Sequence, residues 1–99
     1  MSVVASYTKA PGSTLDYSLD WGSWLQAGEI IVGSTWAITP SQAPQTGDAT
    51  IQQSAVVIAI TTAWLQAGVV GVQYTVTNTV TTSLGRVDER SILVDVENR

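Results

Sequence analysis

The side chains that could do chemistry in this chain are few. Among its 99 residues there is no histidine and no cysteine. This excludes a Ser-His-Asp triad, a thiolate nucleophile, and zinc or iron sites built from imidazole or thiolate ligands. No glycine-rich loop has the pattern that cradles a nucleotide phosphate. The eight carboxylates therefore remain as the candidates for catalysis or metal binding.

The spacing of these carboxylates does not suit catalysis. Asp16 and Asp20 share one face of a predicted strand, which places them about 13 Å apart at ~3.3 Å per residue. The carboxylate pairs of glycosidases lie closer than that. Asp88 and Glu89 are adjacent and point to opposite faces of a strand, and nothing has the spacing of an EF-hand. We expect a protein that is not an enzyme, uses no cofactor and holds no metal ion.

The four tryptophans are the other distinctive side chains. Trp21 and Trp36 are in phase with the apolar rows of predicted strands, so we expect them in the core. Trp24 and Trp64 fall in predicted turns, where they either cap the ends of the domain or contact a partner. If Trp24 or Trp64 contacts a partner, an alternative function is possible. The domain would then be a carbohydrate-binding or adhesion module on a host-facing surface, with Trp24 or Trp64 as the platform on which the sugar stacks.

The charge balance bears on the choice of partner. The net charge is −4, and the basic residues are Lys9, Arg86, Arg90 and Arg99. So few cations offer no electrostatic footprint for nucleic acid and no attraction to an anionic membrane. Residues 1–6 lack the features of a signal peptide, and no apolar stretch reaches the ~20 residues that a membrane helix needs. We expect proteins, with a neutral glycan as the alternative, as partners and the cytoplasm as the place where the chain is made.

The elements that position these residues are predicted to be strands. One third of the chain is Val, Ile or Thr, and such β-branched side chains fit a pleated surface. No helical period extends beyond about one turn. A chain of this length forms one domain. We predict an all-β, immunoglobulin-like sandwich of about seven strands in residues 14–99, with a C-terminal β-hairpin, after an N-terminal lead-in in residues 1–13.

Alternation of apolar and polar residues locates most of the strands. They are predicted near residues 15–21, 29–39, 49–53, 55–62 and 72–82, with a return strand after the turn at 83–85. In the second strand, Ile30 and Val32 are expected to face the core together with Trp36.

One five-residue segment occurs twice. Residues 24–28 and residues 64–68 both read Trp-Leu-Gln-Ala-Gly. Each copy precedes a predicted strand, but the flanking residues differ. We therefore favour two similar turns between strands over an internal duplication.

The register of the C-terminal hairpin follows from its turn. If Thr82 faces Arg86, then Val76 faces Ile92, and apolar residues meet on one face. Nearer the turn, the same row becomes polar or charged. Its members there are Asn78, Val80, Thr82, Arg86, Asp88 and Arg90. We expect residues 78–90 to extend past the core as an arm that contacts a neighbouring subunit, with a solvated hairpin end as the alternative.

Tyr74 lies near the start of the first strand of this hairpin. In Greek-key sandwiches a tyrosine at such a position often hydrogen-bonds back to the preceding corner. We favour this role over that of an ordinary core tyrosine.

Three segments of the chain resemble a known group of proteins. They are Leu15-Asp16-Tyr17-Ser18-Leu19-Asp20-Trp21 with Trp24-Leu25, then Ser34-Thr35-Trp36, and Gly85-Arg86-Val87-Asp88-Glu89-Arg90-Ser91-Ile92. Together, over most of residues 9–96, they resemble the small structural proteins of tailed bacteriophages and prophages called fiber–tail adaptor proteins.

This resemblance implies a function as well as an immunoglobulin-like fold. The implied function is that of a non-enzymatic virion protein, an adaptor that joins head, tail or fiber components through protein–protein contacts. The implied partners are other phage structural proteins or further copies of the chain in the particle, without nucleic acid or membrane. The implied location is the virion, and the host cytoplasm during assembly.

Overall fold

The computed structural model describes residues 3–98, and these residues form strands in two facing sheets without any helix. The strands are β1 (Val3–Lys9), β2 (Leu15–Asp20), β3 (Ile31–Pro40), β4 (Thr50–Val57), β5 (Ile60–Gln66), β6 (Gln73–Thr82) and β7 (Val87–Val96). This confirms the all-β class and the number of strands, while the immunoglobulin-like topology stays a prediction. Met1, Ser2 and Arg99, which belong to the predicted lead-in and domain, lie outside the described residues.

The two sheets enclose one core. The four-stranded sheet has the order β1-β7-β6-β3, and the three-stranded sheet has the order β2-β5-β4. Neighbouring strands are antiparallel except β1, which runs parallel to β7. Trp21 is fully buried, as expected, and Trp36 packs partly buried against the core. The other buried apolar residues include Tyr17, Leu19, Ala63, Leu65, Val72, Tyr74, Val76, Val80, Ile92, Val94 and Val96.

The predicted lead-in contains a strand. β1 lies along the edge of the four-stranded sheet, with Ala5 opposite Ile92. Most of its side chains are exposed, so no buried face marks it in the sequence. Lys9, at its end, is fully buried, and its Nζ donates hydrogen bonds to the carbonyls of Ala10 (2.8 Å) and Ala67 (2.6 Å). Burial lowers the pKa of Lys9, because an ammonium group loses hydration there.

The segment predicted as one strand near residues 55–62 is a hairpin. β4 and β5 are joined by Ile58 and Ala59, and Val57 is paired with Ile60. Ile58 has a φ of 57°, in the left-handed region that β-branched residues avoid. Such strain costs about 1–3 kcal/mol. The sequence does not mark this turn, because the apolar run contains no Gly, Asn or Pro.

The two copies of the five-residue repeat differ in structure. Residues 24–28 lie in the loop between β2 and β3, whereas residues 64–66 form the end of β5. The expectation that Trp64 lies in a turn is therefore wrong. It lies on the outer face of the three-stranded sheet, partly buried, between Asp16 of β2 and Gln53 of β4.

A β-bulge shifts the start of β3. The register with β6 changes between Ile31 and Gly33, which puts Ile30 and Val32 out of phase with Trp36. Ile30 is 59% exposed and Val32 is 60% exposed. The expectation that these two side chains face the core is wrong.

The β6–β7 hairpin has the register predicted from its turn. Val76 lies opposite Ile92, and the N–H of Thr82 donates to the carbonyl of Arg86 at 2.9 Å. The hairpin continues past the end of β2 at Asp20. Here the loop between β2 and β3 replaces the three-stranded sheet as its cover.

Candidate functional site

The polar row of the hairpin is buried under the β2–β3 loop. Asn78 and Val80 are fully buried, and Thr82 is nearly so. Trp21 donates a hydrogen bond to Asn78, and Glu29 accepts a hydrogen bond from Thr82. The expectation of an arm that extends past the core is wrong, because the loop supplies the cover that the three-stranded sheet does not. These three side chains are not at the surface of the folded chain.

The amide of Asn78 is hydrogen-bonded at both of its ends. Its Oδ1 accepts from Trp21 Nε1 at 3.1 Å and from Thr61 Oγ1 at 2.7 Å. Its Nδ2 donates to Ser34 Oγ at 2.9 Å and to the carbonyl of Thr35 at 3.0 Å. One buried side chain thus links both sheets to the start of the loop. A satisfied buried network of this kind specifies a single packing arrangement.

Two arginines of the hairpin lie over tryptophan rings of the loop. The guanidinium carbon of Arg86 is 4.2 Å from the ring centroid of Trp24, and that of Arg90 is 4.1 Å from the ring of Trp21. The two rings meet edge to face, with centroids 5.2 Å apart. These are favourable cation–π and aromatic geometries. One face of Trp24 is therefore occupied by a guanidinium group.

Glu29 is a buried carboxylate paired with Arg86. It forms an ion pair with the guanidinium, and Arg86 Nε donates to its Oε2 at 2.9 Å. Its oxygens also accept from the N–H of Gln26 (2.8 Å) and from the hydroxyl of Thr82 (2.5 Å). The hydrogen bond from Arg86 outweighs burial, and with the other two bonds it lowers the pKa of Glu29 to about 2. The same pairing raises the pKa of Arg86.

No pattern in the sequence marks Glu29 as a buried carboxylate that pairs with Arg86. Glu29 is a lone acidic residue at the start of a predicted strand, and Arg86 is 57 residues away along the chain. Only the fold brings the two charges together.

We expect the chain to lose stability as the pH falls from 4.5 towards 2. The pKa of Glu29 is lower in the folded chain than its ordinary value of 4.5, so ionised Glu29 stabilises the fold above that pH. This contribution is lost as the pH falls through about 2. Thermal unfolding by circular dichroism at a series of pH values, for wild type and Glu29→Gln, measures it. At pH 6 the thermal midpoint of the wild type should be higher than that of the variant. This difference in midpoint should become smaller as the pH falls towards 2. A difference that stays constant down to pH 2 would contradict the role of Glu29.

The other predicted contact residues lie at or near the surface. Asp88 is exposed, the Arg86 side chain is 34% exposed, and Arg90, Trp24 and Trp64 are partly buried. Three of them, Trp24, Arg86 and Arg90, meet in the cluster around Trp21 described above. Trp64 lies apart on the three-stranded sheet, and its use as a carbohydrate platform stays a prediction.

Tyr74 forms the predicted corner. Its hydroxyl accepts a hydrogen bond from the N–H of Val69 at 3.0 Å and donates one to Asp48 Oδ1 at 2.8 Å. The residue is fully buried, and this burial raises the pKa of its hydroxyl. The corner role is therefore confirmed, and it anchors the turn before β6.

Four apolar side chains are exposed where the hairpin and the loop end. We call Ile30, Val32, Leu84 and Val87 the end patch; each is more than half exposed. The N–H of Ser83 donates to the carbonyl of Ile30 (2.8 Å), and the N–H of Ile30 donates to Ser83 Oγ (3.0 Å). The hairpin turn is thus fastened to the loop, and the patch is held by the buried network beneath it.

A groove of about 550 Å³ lies between β1 and β2. It is lined mainly by hydroxyl-bearing side chains, and its one carboxylate is Asp16. The lining consists of Ser6, Tyr7, Thr8, Leu15, Asp16, Tyr17 and Ser18. Within residues 3–98, no cluster of three acidic side chains could hold a metal ion, and no helix could cross a lipid bilayer.

Comparison with models of known protein families gave a match. The family model described as podophage GP4 fiber-tail adaptor protein gp77 matches residues 9–95. The matched range includes β2 to β6 and all but the last residue of β7, together with the loop between β2 and β3, but only Lys9 of β1. No curated protein matches the chain.

Proposed function

Because this chain belongs to the podophage fiber-tail adaptor family, we propose that it joins components of a phage head, tail or fiber through direct protein–protein contacts. The match over residues 9–95 carries this proposal. Membership of the family places the chain among structural proteins of the virion. The finer role, an adaptor between two particular components, agrees with the exposed apolar side chains of the end patch and the charged residues that follow Val87 along β7.

The contact surface that we propose is the end patch with its charged rim. Apolar side chains at the centre and charged ones around them are typical of protein interfaces. Glu89 is exposed on the same face of β7 as Val87, whereas Asp88 is exposed on the opposite face. The partly exposed Arg86 packs on Trp24 of the loop. The buried bonds of Asn78 and Glu29 hold this surface in one conformation. A surface that is ordered before binding loses less conformational entropy on association.

Charged substitutions in the end patch should prevent incorporation into particles. We expect the double variant Leu84→Asp, Val87→Asp to be depleted about tenfold or more from purified virions, in a phage whose own copy is deleted and complemented. Both side chains are exposed, so the thermal midpoint of the free protein should change little. Quantitative mass spectrometry of the particles gives the measurement.

The control for this experiment is Val70→Asp, which puts one aspartate, half of the added charge, at an exposed valine in the turn before β6. It should be incorporated like the wild type. If wild-type protein is missing from purified virions, the adaptor function is refuted. If the double variant is incorporated normally, the function stands and the end patch is not its contact surface.

A further inference from the structure

The tip of the β4–β5 hairpin is apolar and exposed. We call Val56, Val57, Ile58 and Ile60 the apolar tip. Val57 is 66% exposed and Ile58 is 88% exposed, and the other two are also exposed. No charged residue lies between Thr50 and Gln66. Exposed groups of large aliphatic side chains mark interaction sites in soluble proteins.

The backbone of this tip is a second, independent observation. Ile58 occupies the first central position of a two-residue turn at a φ of 57°. Glycine or asparagine fits a positive φ in such a turn, and a branched aliphatic residue is strained there. The side chain that incurs this strain is almost completely exposed, so packing within the chain does not compensate for it. Strained residues of this kind concentrate at functional sites.

The tip is also firmly held. The N–H of Trp21 donates to the carbonyl of Ala59 at 2.8 Å, directly inside the turn. Thr61, which is paired with Val56, is fully buried and donates its hydroxyl hydrogen to Asn78. The tip is therefore presented by the same buried network that supports the end patch.

We propose that the apolar tip inserts into an apolar pocket of another virion protein. This proposal rests on the proposed function and gives the adaptor a second contact surface. The tip belongs to the three-stranded sheet, and the end patch lies on the other sheet and the loop before it. An adaptor that joins two components needs two such separate surfaces.

A pocket in another protein suits the tip better than a second copy of the chain. Four aliphatic side chains offer less than the about 800 Å² per partner that a specific interface buries, so two tips alone do not make a stable dimer. The concave site between β1 and β2 contains the carboxylate of Asp16, and an apolar tip inserted there would displace water from this charge without replacing its hydrogen bonds. An uncharged tip on a chain of net charge −4 does not favour an anionic surface either.

The variant Ile58→Asn separates interaction from stability. Asparagine tolerates a positive φ, so the thermal midpoint of the free protein should stay the same or rise. The amount of the variant in purified, complemented virions should nevertheless fall about tenfold, because the tip loses its apolar end. Val70→Asn is the matched control, since it removes an exposed valine elsewhere, and it should be incorporated normally.

A photo-crosslinking benzophenone amino acid in place of Ile58 identifies the occupant. Irradiation of assembled particles should join position 58 to aliphatic residues of one other virion protein. Crosslinks to a second copy of this chain, to lipid, or to nothing would overturn the proposal. The proposal would also be overturned if Ile58→Asn were incorporated into virions as well as the wild-type protein is. That result would leave the adaptor function intact. Absence of the wild-type protein from particles would refute both.

Discussion

Trp21→Ala should lower the free energy of unfolding by about 3–5 kcal/mol, the loss typical of a large buried aromatic side chain. Trp21 is fully buried, and its Nε1 donates to Thr61 Oγ1 at 3.2 Å and to Asn78 Oδ1 at 3.1 Å. Its ring also supports the guanidinium of Arg90 and meets the ring of Trp24. The substitution therefore removes apolar contacts and a hydrogen-bond donor, and it loosens the loop that covers the hairpin.

Urea unfolding followed by circular dichroism measures this loss. Trp64→Ala is the matched control, because it removes a partly buried tryptophan from an outer face, and we expect it to cost only about 1 kcal/mol. The loss of unfolding free energy for Trp21→Phe should lie between the losses for Trp64→Ala and Trp21→Ala. Phenylalanine keeps an aromatic ring but leaves Asn78 with one hydrogen-bond donor fewer. If Trp21→Ala and Trp64→Ala lowered the free energy of unfolding equally, packing of the β2–β3 loop over the β6–β7 hairpin would not stabilise the fold.

Gly68→Ala should destabilise the fold by about 2–4 kcal/mol, through backbone strain and overpacking together. The φ of Gly68 is 121°, which L side chains rarely adopt. A Cβ at this position would lie 2.6 Å from Cγ2 of Val96, a buried core residue. Either the valine or the backbone of the segment after β5 must move. The change in the thermal midpoint and in the urea midpoint measures the effect.

The first copy of the repeated segment provides the control. Gly28 is the last residue of the same five letters and has a φ of 78°, but a Cβ there meets nothing within 4 Å. Gly28→Ala should therefore lower the free energy of unfolding by only about 1 kcal/mol, the cost of placing an L residue at a positive φ. If the two substitutions cost the same, the contact with Val96 contributes nothing to the requirement for glycine at position 68.

Several structural features could be predicted because the pattern that specifies them is local. The register of the β6–β7 hairpin follows from alternation on each strand and from the length of one turn. The corner formed by Tyr74 joins residues that are close along the chain, as its bond to Val69 shows. The core position of Trp21 follows from its phase with the alternating apolar residues of β2, which ends one residue earlier.

The turn at Ile58 and the bulge in β3 could not be predicted. Both break the rules that relate local sequence to structure: a branched aliphatic residue takes a positive φ, and an extra residue changes the phase of a strand. The bulge exposes Ile30 and Val32, which alternation places in the core, and the turn exposes Ile58 at the end of its hairpin. These are the residues on which the end patch and the apolar tip depend.

By itself, the sequence determined the all-β class, the hairpin register, the absence of histidine and cysteine chemistry and the family resemblance, since all of these depend on composition or neighbouring residues. Only the tertiary structure decided what the polar row of the hairpin does. Asn78, Thr82 and Arg86 look like surface residues until the loop at residues 21–29 is folded over them. A buried polar group is stable only beside its partners, and here the partners in this loop, Trp21 and Glu29, are more than 50 residues away along the chain.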